Sequence, residues 1–489
     1  MKRRQFCSTT AAAGLLAAYP FRLIDAASAG SSIAAVSLDG QTIELEGAAV
    51  RELAGAVKGP VLLADSPGYD AARRVWNGMH DKHPALIVRC ADTSDIQQAV
   101  TFARDHSLLT AVRGGGHSWP GKSVCEGGIM IDLAEMTAAT VDPIRKRASV
   151  GGGALLSHLD AATLEKGFVT TAGVVSHTGV GGFTLGGGFG RLNRKHGLAV
   201  DNLVGAEIVT ADGTIRNVSA EQEPDLFWAI RGGGGNFGVA SRFDFRVHRF
   251  NRSVLSGMVV WPIAQAKEVL DFYGDWYSTL SDDLYVAPAM MTMPDGVGVI
   301  AMEVVYATDP AAGEAEVAPL RRVGKPMDDT IKVQDYLVMQ TAEDGLFAPG
   351  IRSYIKNGMV KEITPELLEA MIGAYTPDPR VVMATHTAGG AVKRVGETHT
   401  AFPHRNVETM VLVGSVWSDP AQDEEVIAKT RNWFKQLEPF TGGYYTNIEF
   451  DTDKSEAGNY GPVYERLAQV KAKYDPGNQF RLNRNIKPA

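Results

Sequence analysis

Arg113-Gly114-Gly115-Gly116-His117-Ser118-Trp119-Pro120-Gly121 follows directly on an apolar run at 108–112. The run reads as a strand, and it ends on consecutive glycines. Glycine lets backbone approach a ligand closely, so successive N–H groups can converge on an anion. A second stretch of this kind is Thr178-Gly179-Val180-Gly181-Gly182-Phe183-Thr184-Leu185-Gly186-Gly187-Gly188-Phe189-Gly190. A third is Arg231-Gly232-Gly233-Gly234-Gly235-Asn236-Phe237-Gly238. One glycine loop is weak evidence. Three in one region suit a large ligand with a pyrophosphate, because glycine runs otherwise weaken strands. A nicotinamide fingerprint does not fit, since Gly179-x-Gly181 lacks the third glycine and shows no clear flanking strand and helix. No Gly-x-x-x-x-Gly-Lys-Ser/Thr loop occurs either. His117, inside the first loop, could be a surface group, a donor to a phosphate or a nucleophile.

Outward from these loops, residues 84–250 alternate short apolar runs with turns. Residues 85–88 and 129–133 read as strands. Ser94-x-x-Gln97 reads as a capping box, with Ile96, Ala99, Val100 and Ala103 at helical spacing behind it. Leu155, Leu159 and Ala162 mark a helix that stops near Gly167. Residues 207–210 and 214–218 around Ala211-Asp212-Gly213 form a hairpin. The order β-α-β-β-α-β predicts an α+β arrangement rather than strict βαβ alternation. From about 251 the glycine clusters thin out. Alternating strands at 297–306 and 410–417, with helices near 262–279, 364–374 and 420–437, predict an antiparallel sheet covered by helices. A last helix over 460–474 is stopped by Asp475-Pro476-Gly477-Asn478.

The chain has 489 residues, 48 Lys+Arg against 56 Asp+Glu, and a formal charge of −8. Apolar residues make up 45% and charged residues 21%. That excludes a disordered chain, and the acidic excess argues against a nucleic-acid partner. The length implies more than one lobe. Three cysteines cannot build a disulfide scaffold, although Cys90 and Cys125 could pair in an oxidising compartment. The pairs His80/His83 and His399/His404 lack partners at metal spacing, so no metal site is expected.

Met1-Lys2-Arg3-Arg4-Gln5-Phe6 opens the chain, a mild apolar stretch follows at 11–19, and Ala27-Ser28-Ala29 offers a cleavage site. Residues 1–29 therefore read as a twin-arginine signal, which predicts export to the periplasm or beyond through the twin-arginine machinery. The apolar stretch is too short for a stable membrane anchor.

The sequence resembles the berberine-bridge-enzyme-like branch of the vanillyl-alcohol-oxidase flavoprotein superfamily, over roughly residues 80–489. The resemblance rests on Arg113-Gly-Gly-Gly-His117-Ser118, Gly179-Val-Gly-Gly182 with Gly186-Gly-Gly188-Phe-Gly190, and Asp225-Leu-Phe-Trp-Ala-Ile-Arg231-Gly-Gly. Tyr445-x-Asn447 and Asp475-Pro-Gly-Asn478-x-Phe480-Arg481 match as well. It implies a two-lobed fold, with a PCMH-type FAD-binding domain at 45–250, a substrate domain at 251–444 and a tail at 445–489 returning to the first lobe. It implies FAD bound covalently through His117, and a pyrophosphate held by Arg113, Gly114, Gly115, Gly116 and Ser118. Thr178, Gly179, Gly181 and Gly182 would run beside the flavin. Asn202, Gly205 and Ile208 would contact the adenine half, and Tyr460, Asn483 and Asn485 would complete the cofactor set from the tail. The cysteine that carries a second flavin link in many relatives is Val175 here, so a single linkage is expected. Thr178 stands where relatives usually have an aliphatic residue that gates oxygen.

A flavin accepts a hydride, and the protein must take a proton from the neighbouring O–H or N–H of a small-molecule substrate. By resemblance Tyr445 is the base, and strand alternation would put it on one face with Asn447. Tyr444 beside it leaves the register open by one residue. His386, on a strand of the second lobe, is a third candidate catalytic residue, and O2 or another acceptor would take the electrons. The competing classes are an oxidative cyclase, a flavin carrier without turnover and an exported hydrolase. No Gly-x-Ser-x-Gly elbow supports the last.

Overall fold

The computed structural model describes residues 32–451 and 455–489. The export signal read at 1–29 lies outside the described residues.

Three sheets position the site, and the fold is α+β as expected. The first runs Val61–Leu62, Leu86–Arg89, Ile129–Asp132, Thr110–Arg113, with the last three strands parallel. Parallel strands need both faces covered, which explains why Leu86, Ile87, Val88, Ile129, Met130 and Ile131 are all buried. The helix Thr93–Asp105 crosses between Leu86–Arg89 and Thr110–Arg113. Its cap differs from the capping box expected at Ser94. The Asp92 carboxylate accepts the N–H groups of Ser94 and Asp95. Asp92 already has the extended backbone a cap requires, so the helix starts one residue before Ser94.

Cys90 and Cys125 are free and buried. Cys90 packs with Leu86 and Val88, whereas Cys125 packs with Ile87 and Met130. Alternation puts these sets on opposite faces of the sheet, so the two thiols do not pair.

The second sheet is antiparallel, in the order Ile215–Ser219, Leu203–Val209, Val239–Arg246, Arg147–Gly151, Ala139–Asp142. The expected hairpin is its first pair. Thr101 of the helix Thr93–Asp105 lies against Gly213 at the turn.

The third sheet has eight strands, all antiparallel, drawn from residues 253–417. Ser253–Pro262, Gly298–Tyr306, Leu284–Thr292, Val381–Thr387, Thr409–Trp417 and Arg352–Val360 lie in that spatial order. Helices Ala266–Tyr277, Pro365–Ala374 and Asp423–Leu437 cover one face, over a core that includes Trp261, Tyr273, Met383, Val411 and Phe434. The opposite face turns toward the glycine-rich segments.

The expected helix over 460–474 is broken. Glu456–Tyr460 and Tyr464–Tyr474 are separated at Gly461-Pro462, where Gly461 takes φ +51° and Pro462 offers no N–H. The tail then returns to the first sheet. Gln479 Nε2 donates to the Leu108 carbonyl at 3.2 Å, and Phe480 joins the core of Leu86 and Val88. A buried Lys471–Asp475 pair fixes that return, with Nζ also donating to the carbonyls of Asn236 (2.6 Å) and Phe480 (3.0 Å).

Candidate active site

The strand Thr110–Arg113 delivers the first glycine loop. Arg113 itself is held by the strand beside it, its Nη1 donating to Asp132 at 2.9 Å. Beyond it the backbone N–H groups of Gly114, Gly115, Gly116, His117 and Ser118 have no acceptor among the described residues. Consecutive free N–H groups are a ready anion site. Two glycines here are sterically required. A Cβ on Gly115 would lie 2.4 Å from the Gly179 Cα, and Gly116 sits at φ +69°. The first two glycine loops thus meet backbone to backbone.

The second loop does open a helix, contrary to the expectation that no clear helix flanks it. Gly179 precedes Val180–Leu185. Its sequence, rich in glycine, has poor intrinsic propensity. Tertiary contacts fix it, with the Val180 N–H donating to the Ala154 carbonyl at 2.8 Å. Gly181 lies against the Gly152 carbonyl, while Gly182 is exposed, with no neighbour within 4 Å of a Cβ built on it. Thr178, just before this helix, has its backbone pinned by its carbonyl, which accepts the Leu156 N–H at 2.8 Å.

His117 is half-buried, stacked on Trp76 at 4.3 Å and 14°. Its buried Nε2 has no partner among the described residues, and neither has the buried Nε2 of His177, whose ring centroid is 5.1 Å away. Burial, then the adjacent His177, pushes the His117 pKa down to about 3. The imidazole is therefore neutral at any working pH, with a lone pair available for bonding. Residues 341–350 lie over this corner. The Trp76 Nε1 donates to the Phe347 carbonyl at 2.6 Å, and Asp344 accepts from Ser176.

Tyr445 and Asn447 lie together, but in a turn rather than on a strand, so the expected alternation is not what aligns them. Asn357 sets the register by accepting the Tyr445 N–H at 2.6 Å. The Tyr445 hydroxyl oxygen accepts from the Gly188 N–H (3.0 Å) and from Asn447 Nδ2 (2.7 Å). Tyr444 turns the other way, to Glu456. Burial raises the Tyr445 pKa to about 12, against the opposing pull of those two donors. Phe189 bridges to the third candidate, with its ring 5.2 Å from Tyr445 and 5.9 Å from His386. His386 holds the Tyr285 hydroxyl at 2.9 Å through Nδ1, and burial depresses its pKa to about 3. It is a hydrogen-bonding group, too weakly basic to collect a proton.

Other expected cofactor residues are placed differently. The Asn202 amide is committed to the protein, donating to the His196 and Leu198 carbonyls (3.0 Å each) and accepting from His248 at 2.8 Å. Ile208 is buried in the core of the second sheet, and Gly205 sits on the same strand between Ser219 and Asp244. The third glycine loop is largely a docking point. Its Gly232 and Gly234 N–H groups donate to the Leu185 carbonyl, and the tail lands on it. There Tyr460 donates to the Gly232 carbonyl (3.4 Å) and Asn483 to the Gly235 carbonyl (2.8 Å). Asn485 keeps a buried Oδ1 without a partner.

Two groups escaped the sequence reading. Lys122 donates through its N–H to the Ser118 hydroxyl and through Nζ to the Asn483 carbonyl, and burial lowers its pKa to about 8. Its place directly after Gly121 was the available signal. Arg191, next to Gly190, is buried between Glu303 and Glu343. Its partners lie more than a hundred residues away, where no spacing could reveal them.

A run of free backbone N–H groups, an imidazole without a partner among the described residues, and a phenol held by two donors together suit a flavin-dependent oxidoreductase. Residues 84–219 match the FAD binding domain family, and residues 445–487 match the berberine and berberine-like family. An FAD-linked oxidoreductase of Dictyostelium discoideum is 32% identical over 444 residues, spanning 90% of this chain and 97% of that protein. The crystal structure of 6-hydroxy-D-nicotine oxidase from Arthrobacter nicotinovorans, 30% identical, superposes with a TM-score of 0.82 over 88% of this chain and 98% of its own. Physcomitrella patens BBE-like 1, at 23% identity, shares the fold with a TM-score of 0.83 over 90% and 99%. The chain belongs to the berberine-bridge-enzyme-like family of PCMH-type FAD oxidoreductases, and it is an FAD-dependent enzyme.

Proposed function

We propose that this enzyme is an exported oxidase that takes a hydride from a CH–OH or CH–N carbon of a small organic substrate. FAD is attached covalently through His117 alone. The observation that carries the reading is the buried Tyr445 hydroxyl, fixed by Gly188 and Asn447 beside the second glycine loop. A carrier without turnover has no use for a phenol held this way.

FAD, when bound, would supply the hydride acceptor, with O2 or another acceptor as the final electron sink. The chain's own groups do the rest. The free N–H groups of Gly114 to Ser118 would hold the diphosphate, and the unpartnered Nε2 of His117 would be the point of attachment to the flavin. Val175, buried, presents no thiol for a second bond, and Cys125 is packed into the first sheet with its pKa pushed up to about 12. Tyr445, as its phenolate, receives the proton from the substrate O–H or N–H and becomes the neutral phenol, and its two donors stabilise the phenolate oxygen beforehand. His386 orients the substrate through a neutral hydrogen bond. Arg3-Arg4-x-Phe6 and Ala27-Ser28-Ala29 support export, and a linkage that cannot dissociate suits a cofactor loaded before export.

The test is anaerobic mixing of the holoenzyme with a panel of small alcohols and amines, followed by admission of air. The reading expects bleaching of the visible flavin bands by at least one class, and H2O2 on reoxidation. A flavin spectrum unmoved by every member contradicts it.

A further inference from the structure

The second sheet ends in a hairpin that plays no part in the site. Its strands Ala139–Asp142 and Arg147–Gly151 are joined by Pro143-Ile144-Arg145-Lys146. Asp142 builds the turn, its carboxylate accepting the N–H groups of Ile144 and Arg145 at 2.9 Å each. Turn chemistry favours Gly, Pro, Asn, Asp and Ser at such a tip. Ile144 stands there instead, at 92% exposure the most exposed large apolar side chain among the described residues. Lys146 takes φ +52°, a left-handed conformation that Gly or Asn adopts more readily. The needs of the turn account for neither residue.

Cations surround the tip. Arg147 pairs directly with Arg246 on the next strand, and both are exposed. Like charges directly opposite each other are unfavourable unless an anion lies between them. The Lys146 carbonyl accepts the Val247 N–H at 3.1 Å, which sets Lys146 beside the same strand end. Arg145 is exposed, with Asp142 at 3.8 Å as its nearest carboxylate. The side chains of Lys146, Arg147 and Arg246 make no hydrogen bond or ion pair among the described residues. The next carboxylate along these strands, Asp244, is taken by Ser149 at 2.7 Å and Arg242 at 3.3 Å. The field reaches a neighbour: burial first, then Arg246, Lys195 and Lys146, hold the His248 imidazole below its usual pKa. A chain of net charge −8 thus gathers cations that its own acidic residues leave unanswered.

Unanswered cations call for a polyanion. A nucleic acid or an anionic polysaccharide offers nothing to an isoleucine at their centre. A lipid surface takes both, with phosphates for the cations and the edge of the acyl region for the apolar tip. Long basic side chains lay their stems along such a boundary and keep their charged heads in the polar layer. We propose that residues 142–147, together with Arg246, dock the enzyme on an anionic phospholipid surface. Ile144 enters the bilayer interface, and Arg145, Lys146, Arg147 and Arg246 rest on the phosphates. The strand Arg147–Gly151 leads from this tip to Gly152, whose carbonyl lies against Gly114 and Gly181. A strand of that length spans about 17 Å, so the tip and the glycine loops lie at opposite ends of it. The contact is peripheral, and it does not depend on the oxidase reading.

The experiment sediments the mature holoenzyme, from residue 30 on, with vesicles of equal parts phosphatidylglycerol and phosphatidylcholine, and separately with phosphatidylcholine alone. Starting at residue 30 keeps the basic leader out of the measurement. Binding is expected to the anionic vesicles at low salt, to fall steeply in half-molar sodium chloride, and to be weak on phosphatidylcholine. Arg147→Gln combined with Arg246→Gln should weaken the partition by about 25-fold, at about fivefold per cation. Ile144→Ser should weaken it by about threefold or more. Lys435→Gln, an exposed cation on the helix Asp423–Leu437, should leave it unchanged. All these side chains lie on the surface away from the site, so flavin content and reduction rate should stay at the wild-type level. Four results overturn the proposal: no binding to anionic vesicles, equal binding to both kinds, an unchanged partition in the double variant, or a loss from Lys435→Gln as large as that from the double variant. A partition unchanged by Ile144→Ser also overturns it, and assigns the cations to a soluble polyanion.

Discussion

Replacing Tyr445 with Phe removes one oxygen from the centre of the site. That oxygen accepts the Gly188 N–H at 3.0 Å and Asn447 Nδ2 at 2.7 Å. Asn447 keeps a second acceptor, the Phe183 carbonyl at 3.1 Å, so the buried donor left bare is mainly the Gly188 N–H. The expected loss of stability is about 1–3 kcal/mol, enough to lower the melting temperature and too little to unfold the chain. The chemical step loses its proton acceptor, which amounts to about 10²–10⁴ in rate, or about 3–5 kcal/mol. Stopped-flow anaerobic reduction separates the two effects, because it reads only folded, flavin-bearing enzyme. The wild-type pH profile adds a second check. With the Tyr445 pKa raised to about 12, the phenolate fraction grows as pH rises through neutrality, so the reduction rate should climb between pH 6 and 9. A Phe variant that reduces at the wild-type rate, or a flat wild-type profile, would refute Tyr445 as the base.

Three further outcomes follow from the packing. Asp160 is fully buried, with Oδ1 unpartnered among the described residues and its pKa raised to about 7 by burial. The native chain therefore keeps a proton that the unfolded chain has lost, and stability should fall as pH rises from about 4 to about 7, by up to roughly 4 kcal/mol. Asp160→Asn should flatten that part of a urea-denaturation pH series, and an unaltered slope would exclude the group. Lys471→Ala leaves Asp475 buried without its cation and should cost about 3–5 kcal/mol, read as a large drop in the denaturation midpoint. Gly115→Ala drives a methyl into the Gly179 backbone and should yield folded protein with flavin content sharply reduced, measured as the ratio of visible to protein absorbance.

The strand running into Gly114 was legible because an apolar run and a glycine cluster are both local signals. The helix cap was misplaced by two residues, since Asp92 competes with Ser94 for that role and only backbone geometry decides between them. The helix Val180–Leu185 was invisible, because Val-Gly-Gly-Phe-Thr-Leu carries no helical propensity and is held by Ala154 and the third glycine loop. Tyr445 rather than Tyr444 lies beside Asn447, but strand alternation is not what brings them together. Asn357, from a distant strand, selects the register, and the segment is a turn. Asn202 shows the converse case. Its side chain looks available in the sequence, but its hydrogen-bonding capacity is taken up by His196, Leu198 and His248. Arg191 belongs to the same class of long-range assembly, which spacing along a chain cannot reveal.

The attachment of FAD at His117 is tested most directly by mass spectrometry of the tryptic peptide 114–122, which carries that imidazole between the cleavage sites at Arg113 and Lys122. Peptide from protein expressed with ample riboflavin should appear heavier by one FAD, with fragment ions placing the addition on His117. Peptide found only at its unmodified mass, while the flavin elutes free after acid precipitation, would contradict the account.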